Sequence, residues 1–226
     1  MKQAHIALLT DFGTADPYVA AMKGVILSAN SRTTITDISH DIPRHDVTAA
    51  AYMLRAAAPW FPAGTIFVCV VDPGVGTKRR IFCLKLGGRT FLAPENGLLE
   101  RFAERPTDGR WYALKPPAAA KRISSTFHGR DIIAPAAARL AGGARMASVA
   151  LPVPAPRPIR FLRHVPRQGG GLIEGRVLHV DRFGNIVTNL TLSDRPSPSL
   201  GVTIGRRNIR KICSTYNEAP SATPFI

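Results

Sequence analysis

Acidic residues follow short apolar runs at four places in the first hundred residues, and this arrangement predicts one shared site. Asp11, Asp37, Asp72 and Glu95 each come directly after such a run. Carboxylates bind hydroxyl groups and cations, and they accept protons during catalysis. Intervals of 26 and 35 residues between the three aspartates leave room for one crossover helix each. If the strands are parallel, their carboxylates lie along one sheet edge, and we expect the chemistry there.

The segment after Asp72 is a glycine-rich turn that ends in a basic run, Lys78 to Arg80. It matches neither a Walker loop nor a dinucleotide fingerprint, because its Gly-Val-Gly is too short and its lysine is wrongly placed. Arg79 comes seven residues after Asp72, which is enough chain for the turn to fold back and pair the two charges. The alternative interpretation is a tight turn with a surface basic pair.

Asp11 and His128 are further candidates for site residues. An acid after a first strand often binds a pair of ribose hydroxyls, although it can also cap the following turn. The several acids at the same edge favour binding for Asp11. His128 comes just before a predicted helix, whose N-terminus favours neutral imidazole, but a lone histidine is more often structural. His40 and His45 are predicted to be solvated loop residues, with pocket lining as the alternative.

A second candidate motif occurs late in the chain, where Asp181, Phe183 and Asn185 share one short turn. Its carboxylate, aromatic face and amide suit a ligand, since an amide can read an adenine edge while a ring stacks on the base. A hairpin turn that requires glycine and asparagine is the alternative interpretation.

Strand and helix signals alternate through residues 1–151, which predicts an α/β domain with a parallel sheet covered by helices on both faces. Asp46, for example, is a typical residue to begin a helix. Residues 152–171 are rich in proline and glycine and are predicted to be a linker. Residues 172–226 contain short strand-like runs, so we expect a small all-β domain.

The net charge of +15 is concentrated in the later part of the chain. Residues 1–100 carry 10 basic and 8 acidic side chains, whereas residues 101–226 carry 20 and 7. A basic face can bind nucleic acid. No recognised nucleic-acid module accompanies it, and 23 arginines against 7 lysines also fit a bias in genomic base composition. A solvated basic surface is the favoured interpretation, and nucleic acid is not the expected partner.

Other classes of protein are disfavoured by simple counts. Three scattered cysteines are too few for a disulfide framework and are predicted to be small buried thiols. Neither a CxxC nor an HExxH pattern occurs, so we expect no metal site. No run reaches the roughly 18 apolar residues of a membrane span, and the N-terminus does not read as a signal peptide. A cytoplasmic enzyme without a membrane partner is therefore expected.

Taken together, the motifs resemble the S-adenosyl-L-methionine (SAM) hydrolases that form adenosine. These SAM hydroxide adenosyltransferases are related to the SAM-dependent fluorinase and chlorinase. The resemblance runs from about residue 5 to about residue 220, and several separate motifs in the right order make it specific. The matching segments are Thr10–Gly13, Asp16 with Tyr18, Asp37–His40, Asp72–Arg79, Ala93–Gly97, Thr126–Asp131 and Asp181–Asn189.

The resemblance implies an N-terminal α/β domain, a C-terminal β-barrel and a homotrimer with active sites between neighbouring subunits. Family members usually continue past the last residue of this sequence, so we expect an incomplete β domain, with activity less certain than membership. The site residues that the resemblance implies are the water-activating triad Asp72, Arg79 and His128, the ribose-binding Asp11, Asp181 near the methionine ammonium, and Phe183 with Asn185 at the adenine.

The implied reaction is hydrolysis of SAM at C5′, which gives adenosine and L-methionine, with SAM as substrate and no cofactor or metal. A halogenase-like enzyme acting on the same substrate is one alternative. Halogenating relatives lack the triad, so its presence favours water as the nucleophile. A non-catalytic protein that binds adenosine, SAM or nucleic acid is the alternative from a different class.

Overall fold

The computed structural model describes residues 4–103, 109–115, 123–157, 159, 165–166, 173–190, 201–211, 213 and 215–218. The chain divides into two compact units, Met1–Phe161 and Leu162–Ile226. Much of the predicted linker 152–171 lies outside the described residues, and its bounds remain a prediction.

Strands and helices alternate in the first unit. Its strands are β1 (His5–Thr10), β2 (Thr34–Ser39), β3 (Ile66–Val70), β4 (Ile81–Leu86), β5 (Arg89–Pro94), β6 (Arg110–Leu114) and β7 (Ala150–Pro152). Its helices are α1 (Tyr18–Ala29), α2 (Val47–Ala57), α3 (Leu98–Phe102), α4 (Ala134–Ala141) and α5 (Met146–Val149), with a 3-10 turn at Ala58–Trp60 and a π turn at Gly129–Ile133. Asp46 begins α2 as predicted, because its Oδ1 accepts a hydrogen bond of 2.9 Å from Ala49 N.

The seven strands form one sheet in the order β2-β1-β3-β5-β4-β6-β7. The first four strands in this order, β2, β1, β3 and β5, are parallel, as the sequence predicted. The sheet is then extended by antiparallel strands, so it is mixed rather than wholly parallel. The cause is local: Gly87 and Gly88 both have positive φ and join β4 to β5 in a two-residue hairpin.

The four central strands, β1, β3, β5 and β4, bury side chains on both faces, which explains their nearly continuous apolar sequences. On one face Ala7 and Leu9 belong to the core beneath α2 and α3. On the other face Ile6 and Leu8 belong to a second core with α1 and α4. The result is a three-layer arrangement that holds the strand ends in fixed positions.

The ends of β1 and β3 determine where two of the predicted site residues leave the sheet. These strands are parallel neighbours, and their register pairs Thr10 with Val70. Asp11 follows directly after β1, and Asp72 comes two residues after β3. Helices α1 and α2 occupy the intervals in the sequence that the acid spacing left for crossovers.

The second unit contains short β-strands, which confirms its predicted β character. They are β8 (Val165–Pro166), β9 (Ile173–Glu174), β10 (Val177–Val180), β11 (Ile186–Thr188), β12 (Val202–Ile204) and β13 (Arg207–Ile209). The three pairs β8-β9, β10-β11 and β12-β13 are all antiparallel. The described residues of this unit do not form a closed barrel.

The predictions about cysteines and membrane spans can be compared with the described residues of both units. Cys69 and Cys83 are buried free thiols, and Cys213 is half-buried. Burial raises the pKa of Cys83 to about 12, with a smaller opposing effect from Lys85. Among the helices that the structure describes, none has the length and apolarity to cross a bilayer.

We predict that Phe67→Ala lowers the free energy of unfolding by about 3–5 kcal/mol, because the ring is fully buried and its loss leaves a cavity. Phe67 also stacks on Phe91 with ring centroids 4.7 Å apart. Trp60→Ala is the matched control, since that side chain is 87% exposed and its loss is expected to change stability by less than about 0.5 kcal/mol. Urea unfolding measures both, and equal losses would contradict the assignment of the core.

Candidate active site

A cavity of about 300 Å³ lies at the carboxyl ends of β1 and β3, the edge at which the sequence predicted a site. Its polar lining residues are Asp11, Asp16, Tyr18, Arg44, His45, Asp72, Thr126 and His128. A larger cavity, of about 540 Å³, lies at the opposite ends of the same strands. Of the described residues that line the larger cavity, only His5 is titratable. Because the smaller cavity gathers three carboxylates and two imidazoles, it is the candidate site.

Asp72 and Arg79 form a buried ion pair, as the seven-residue spacing predicted. Arg79 Nε donates to Asp72 Oδ1 at 2.7 Å, and Arg79 Nη2 donates to Oδ2. The backbone NH of Gly74 also donates to Oδ1. The two charged side chains are only 5% and 8% exposed. Both carboxylate oxygens are therefore engaged by the guanidinium.

His128 contacts the same guanidinium at Nη2, the nitrogen that also donates to Asp72. Arg79 Nη2 lies 3.4 Å from His128 Nδ1, and since arginine has no acceptor, Nδ1 is the acceptor of this contact. Burial is the main cause that holds the pKa of His128 below its usual value, and the charge of Arg79 is the second. The charge of Asp131 partly opposes both. The imidazole is thus neutral at neutral pH. Asp72, Arg79 and His128 form a chain in which Arg79 is the middle member.

Arg79 retains an unused donor. Its Nη1 is buried and has no hydrogen-bond partner within the described part of the chain. A buried donor of this kind costs free energy unless a bound molecule satisfies it. A water beside Arg79 and His128 would meet this need. Its oxygen can accept from Nη1, and it can donate to His128 Nδ1 where it replaces the long contact of that nitrogen with Nη2.

Two glycines allow the turn after β3 to approach the segment that carries His128. A Cβ at Gly76, where φ is 82°, would lie 2.5 Å from the carbonyl oxygen of Ser125. A Cβ at Gly129 would lie 3.2 Å from Met22 Sδ and from a Val70 methyl. Side chains at these two positions would push the turn, the histidine segment and the sheet apart.

The segment after β5 holds both ends of the turn that carries the ion pair. Asn96 Nδ2 donates to the carbonyl oxygen of Val71 at 2.7 Å. At the other end, Arg80 binds both oxygens of Glu95 through its guanidinium, at 2.8 and 2.6 Å. The hydrogen bond from Arg80 lowers the pKa of Glu95 despite partial burial. Glu95 therefore fixes the turn and is not among the residues that line the cavity.

Asp11 lines the same cavity as Asp72 and His128. Its Oδ2 accepts a hydrogen bond of 2.9 Å from the backbone NH of His45, which has a positive φ of 65°. His45 is exposed, as predicted, and it also lines the cavity, which was the alternative left open for this residue. Phe12 and Tyr18 also line the cavity, and their ring centroids are 5.8 Å apart.

Two residues near this edge differ from the predictions. Asp37 lies within β2 rather than after it, and its carboxylate binds Lys23 Nζ at 2.6 Å. Burial alone would raise the pKa of Asp37, but contacts with Lys23 and His40 lower it. The prediction that His40 is solvated was wrong, because its side chain is only 4% exposed. Neither residue is among those that line the cavity.

Asp181, Phe183 and Asn185 share the turn between β10 and β11 of the second unit. Asp181 Oδ1 accepts from the backbone NH groups of Phe183 and Asn185, and Oδ2 accepts from Asn185 Nδ2 at 2.6 Å. The hydrogen bond from Asn185 is the main cause of the lowered pKa of Asp181. The hairpin interpretation thus describes the observed turn, and the Phe183 ring is 90% exposed within it.

The sequence did not single out Arg44 and Val75 as lining residues. Both positions carried a usable signal, because each lies in a loop that follows a strand at the predicted edge. As to metals, the described residues contain no group of three histidine, cysteine or acidic side chains placed to hold an ion.

Comparisons with known proteins identify the family of this chain. The SAM hydroxide adenosyltransferase N-terminal domain matches residues 6–150, and the C-terminal domain matches residues 175–226. A protein of Thermus thermophilus named (R)-S-adenosyl-L-methionine hydrolase is 36% identical, over 97% of this chain and 86% of its own. A fluorinase of Actinoplanes sp. is more distant, at 28% identity over 87% of this chain and 74% of its own.

A solved structure of an uncharacterised conserved protein from Thermotoga maritima has a similar fold. It superposes with a TM-score of 0.85 at 30% identity, and the match covers 96% of this chain and 86% of that one. Matches of both domain models in order, together with a relative at 36% identity over nearly the whole chain, confirm the resemblance. The chain belongs to the SAM hydroxide adenosyltransferase family.

Proposed function

We propose that this protein hydrolyses SAM at C5′ with water and releases adenosine and L-methionine. The observation that carries the proposal is the chain of Asp72, Arg79 and His128 beside a cavity that also contains Asp11. These three residues provide an unused buried donor, Arg79 Nη1, and the neutral imidazole of His128. These are the two groups that a nucleophilic water needs. The relatives named as SAM hydrolases support the same substrate.

In the proposed mechanism, water is held between Arg79 Nη1 and His128 and attacks C5′ in line with the sulfonium. The new C5′–O bond forms as the C5′–S bond breaks, and its electron pair makes sulfur a neutral thioether. The excess proton of the attacking water passes to Nδ1 of His128, because Nε2 already carries the proton of the neutral ring. We assign proton acceptance to the imidazole, because both oxygens of Asp72 are already bound to Arg79.

The charge of the substrate explains why so few groups are required. A sulfonium leaves as a neutral molecule, so the leaving group needs neither a general acid nor a metal ion. Positioning the water and removing one proton remain, and together they supply on the order of 10 kcal/mol of barrier lowering when the alignment is good. We therefore propose direct inversion at C5′ without a covalent intermediate or a cofactor.

Binding roles follow from the chemistry of the lining groups and from the family. We assign the ribose hydroxyls to Asp11, the methionine ammonium to Asp181, and the adenine to Phe183 and Asn185. We also propose that the protein acts in the cytoplasm as a homotrimer whose active sites lie between subunits. Since the names of the relatives specify the (R) sulfonium epimer, we expect this chain to favour that epimer.

We predict that purified protein converts SAM to adenosine and methionine, and that water labelled with ¹⁸O places the label at the 5′-oxygen of adenosine. Each epimer is incubated separately, and products are measured by chromatography with mass spectrometry. Label in methionine would contradict attack at C5′. Formation of 5′-halogenated adenosine on addition of chloride or fluoride would favour the halogenase alternative.

We predict that Asp72→Asn lowers kcat/KM by about 10²–10³-fold, because the buried guanidinium loses its counter-charge and the water loses its aligned donor. Asp41→Asn is the matched control, since Asp41 is exposed and does not line the cavity. It makes the same change of charge and is expected to stay within about twofold of the wild type. Equal activity of the two variants would exclude the proposed triad.

We predict an acid limb in the pH profile of kcat/KM, centred below the usual histidine value of about 6.5. Burial disfavours the protonated form of His128, and the charge of Arg79 adds to this effect, so the pKa of His128 is lowered and the active neutral form persists to lower pH. The rate therefore rises with pH through the lowered pKa and is level above it. His128→Asn should lose this limb along with about 10²–10⁴-fold of the rate. A limb centred above 6.5, or one retained in His128→Asn, would assign the titration to another group.

A further inference from the structure

A polar network adjoins Asp11, buried at Thr10 and His40 and exposed at Asp37, and the mechanism does not use it. Thr10 is fully buried at the end of β1, and its Oγ1 lies 2.8 Å from His40 Nδ1. His40 Nε2 lies 3.1 Å from Asp37 Oδ1, and Asp37 Oδ2 accepts from Lys23 Nζ at 2.6 Å. The network thus runs from a half-exposed lysine on α1 to the last residue of β1.

The directions of the hydrogen bonds follow from the groups involved. The carboxylate of Asp37 favours the proton of His40 on Nε2, although the angle of this contact is too poor for a well-formed hydrogen bond. Nδ1 is then an acceptor, and the hydroxyl of Thr10 donates to it. The Thr10 oxygen in turn accepts from the backbone NH of Phe12 at 3.3 Å. The hydroxyl therefore joins the buried imidazole to the loop that follows β1.

Backbone contacts tie the same loop to the loop after β2. Gly13 N donates to the carbonyl oxygen of His40 at 2.8 Å. On the cavity side, Asp11 Oδ2 accepts from His45 N at 2.9 Å. Asp11 thus lies between Thr10, whose hydroxyl contacts His40, and Phe12, whose backbone NH donates to that hydroxyl. Loss of that hydroxyl leaves a buried backbone NH and a buried imidazole nitrogen without partners.

The position of His40 depends on an irregularity in β2. The register of β1 and β2 pairs Leu8 with Asp37 but Leu9 with Ser39, so Ile38 is an extra residue. A bulge of this kind bends a strand and changes the direction of the side chains that follow it. His40 follows this bulge, and its side chain is buried in contact with Thr10. Without the extra residue, the strand would continue along the sheet.

We propose that Thr10 and His40 are positioning residues that hold Asp11 in the orientation that binds the substrate. The inference rests on the proposed function and assigns a role to a network that touches neither substrate nor reacting atoms. Because Asp11 is assigned to the ribose, the network acts on binding rather than on activation of water. Its loss therefore raises KM and leaves kcat nearly unchanged.

Thr10→Val and Thr10→Ser form the test pair, because valine keeps the shape of threonine while serine keeps the hydroxyl. Thr10→Val is expected to raise KM for SAM and Kd for adenosine by about tenfold, the order expected for one lost buried hydrogen bond. Thr10→Ser is expected to change either by at most about threefold. A large fall in kcat for Thr10→Val at unchanged KM would overturn the proposal, as would equal behaviour of the two variants.

A double-mutant cycle with Asp11→Asn separates positioning from a general structural effect. If Thr10 acts through Asp11, Thr10→Val adds less than about twofold to the loss caused by Asp11→Asn. Multiplication of the two losses would overturn the proposal. His40→Asn, which keeps an amide near the place of Nδ1, should lie closer to the wild type than His40→Leu does. If His40→Leu lies closer to the wild type than His40→Asn does, His40 is not a positioning residue.

Adenosine affinity, measured by calorimetry, keeps this test distinct from that of the proposed function. A wild-type protein that binds adenosine without converting SAM would contradict hydrolysis, and the Kd values of the Thr10 variants would still decide the inference. A wild-type protein that neither binds adenosine nor converts SAM would overturn both. Melting temperatures of the variants show whether each remains folded.

Discussion

The rest of the site depends on the buried ion pair between Asp72 and Arg79. Each side chain is more than nine-tenths buried, and a buried charge that loses its partner costs several kcal/mol. Each residue therefore requires the other. Both oxygens of the carboxylate accept hydrogen bonds from the guanidinium, which donates them through Nε and Nη2. What remains is one donor, Nη1, and the neutral imidazole of His128.

The ion pair is in turn held by contacts that begin in the sheet. The register that pairs Thr10 with Val70 makes the chain leave β1 and β3 side by side. Asn96 and Glu95, which follow β5, then bind the two ends of the turn that carries the pair. Gly76 lets that turn come close to the segment of the imidazole. Three strand ends thus cooperate in placing three side chains that are distant in the sequence.

The sequence predicted the parts of the site that depend on spacing along the chain. Acids after apolar runs placed Asp11 and Asp72 at one edge, and a seven-residue interval predicted the pairing with Arg79. The sequence did not predict which acids are neutralised elsewhere. Asp37 is bound by a lysine on α1, a long-range choice between partners that spacing does not encode. The burial of His40 depends on a bulge in β2, and the hydrophobic pattern carries no signal for one extra residue. The antiparallel extension of the sheet was missed for a different reason, since the Gly-Gly hairpin signal was present and was not used.

The charges of the triad fit a cationic substrate. An unpaired guanidinium about 5 Å from a sulfonium would oppose binding by about 3 kcal/mol at an effective dielectric constant of about 20. Pairing with Asp72 offsets this opposition, and the neutral His128 adds none, so the proposed water-activating group carries no net charge before reaction. In the proposed displacement, positive charge passes from sulfur to the attacking oxygen and then to the imidazole. A protonated product oxygen is strongly acidic, so even a histidine with a lowered pKa accepts its proton. The imidazolium that forms then loses the proton readily to solvent, because burial and the charge of Arg79, which keep His128 neutral before reaction, also favour its neutral form afterwards.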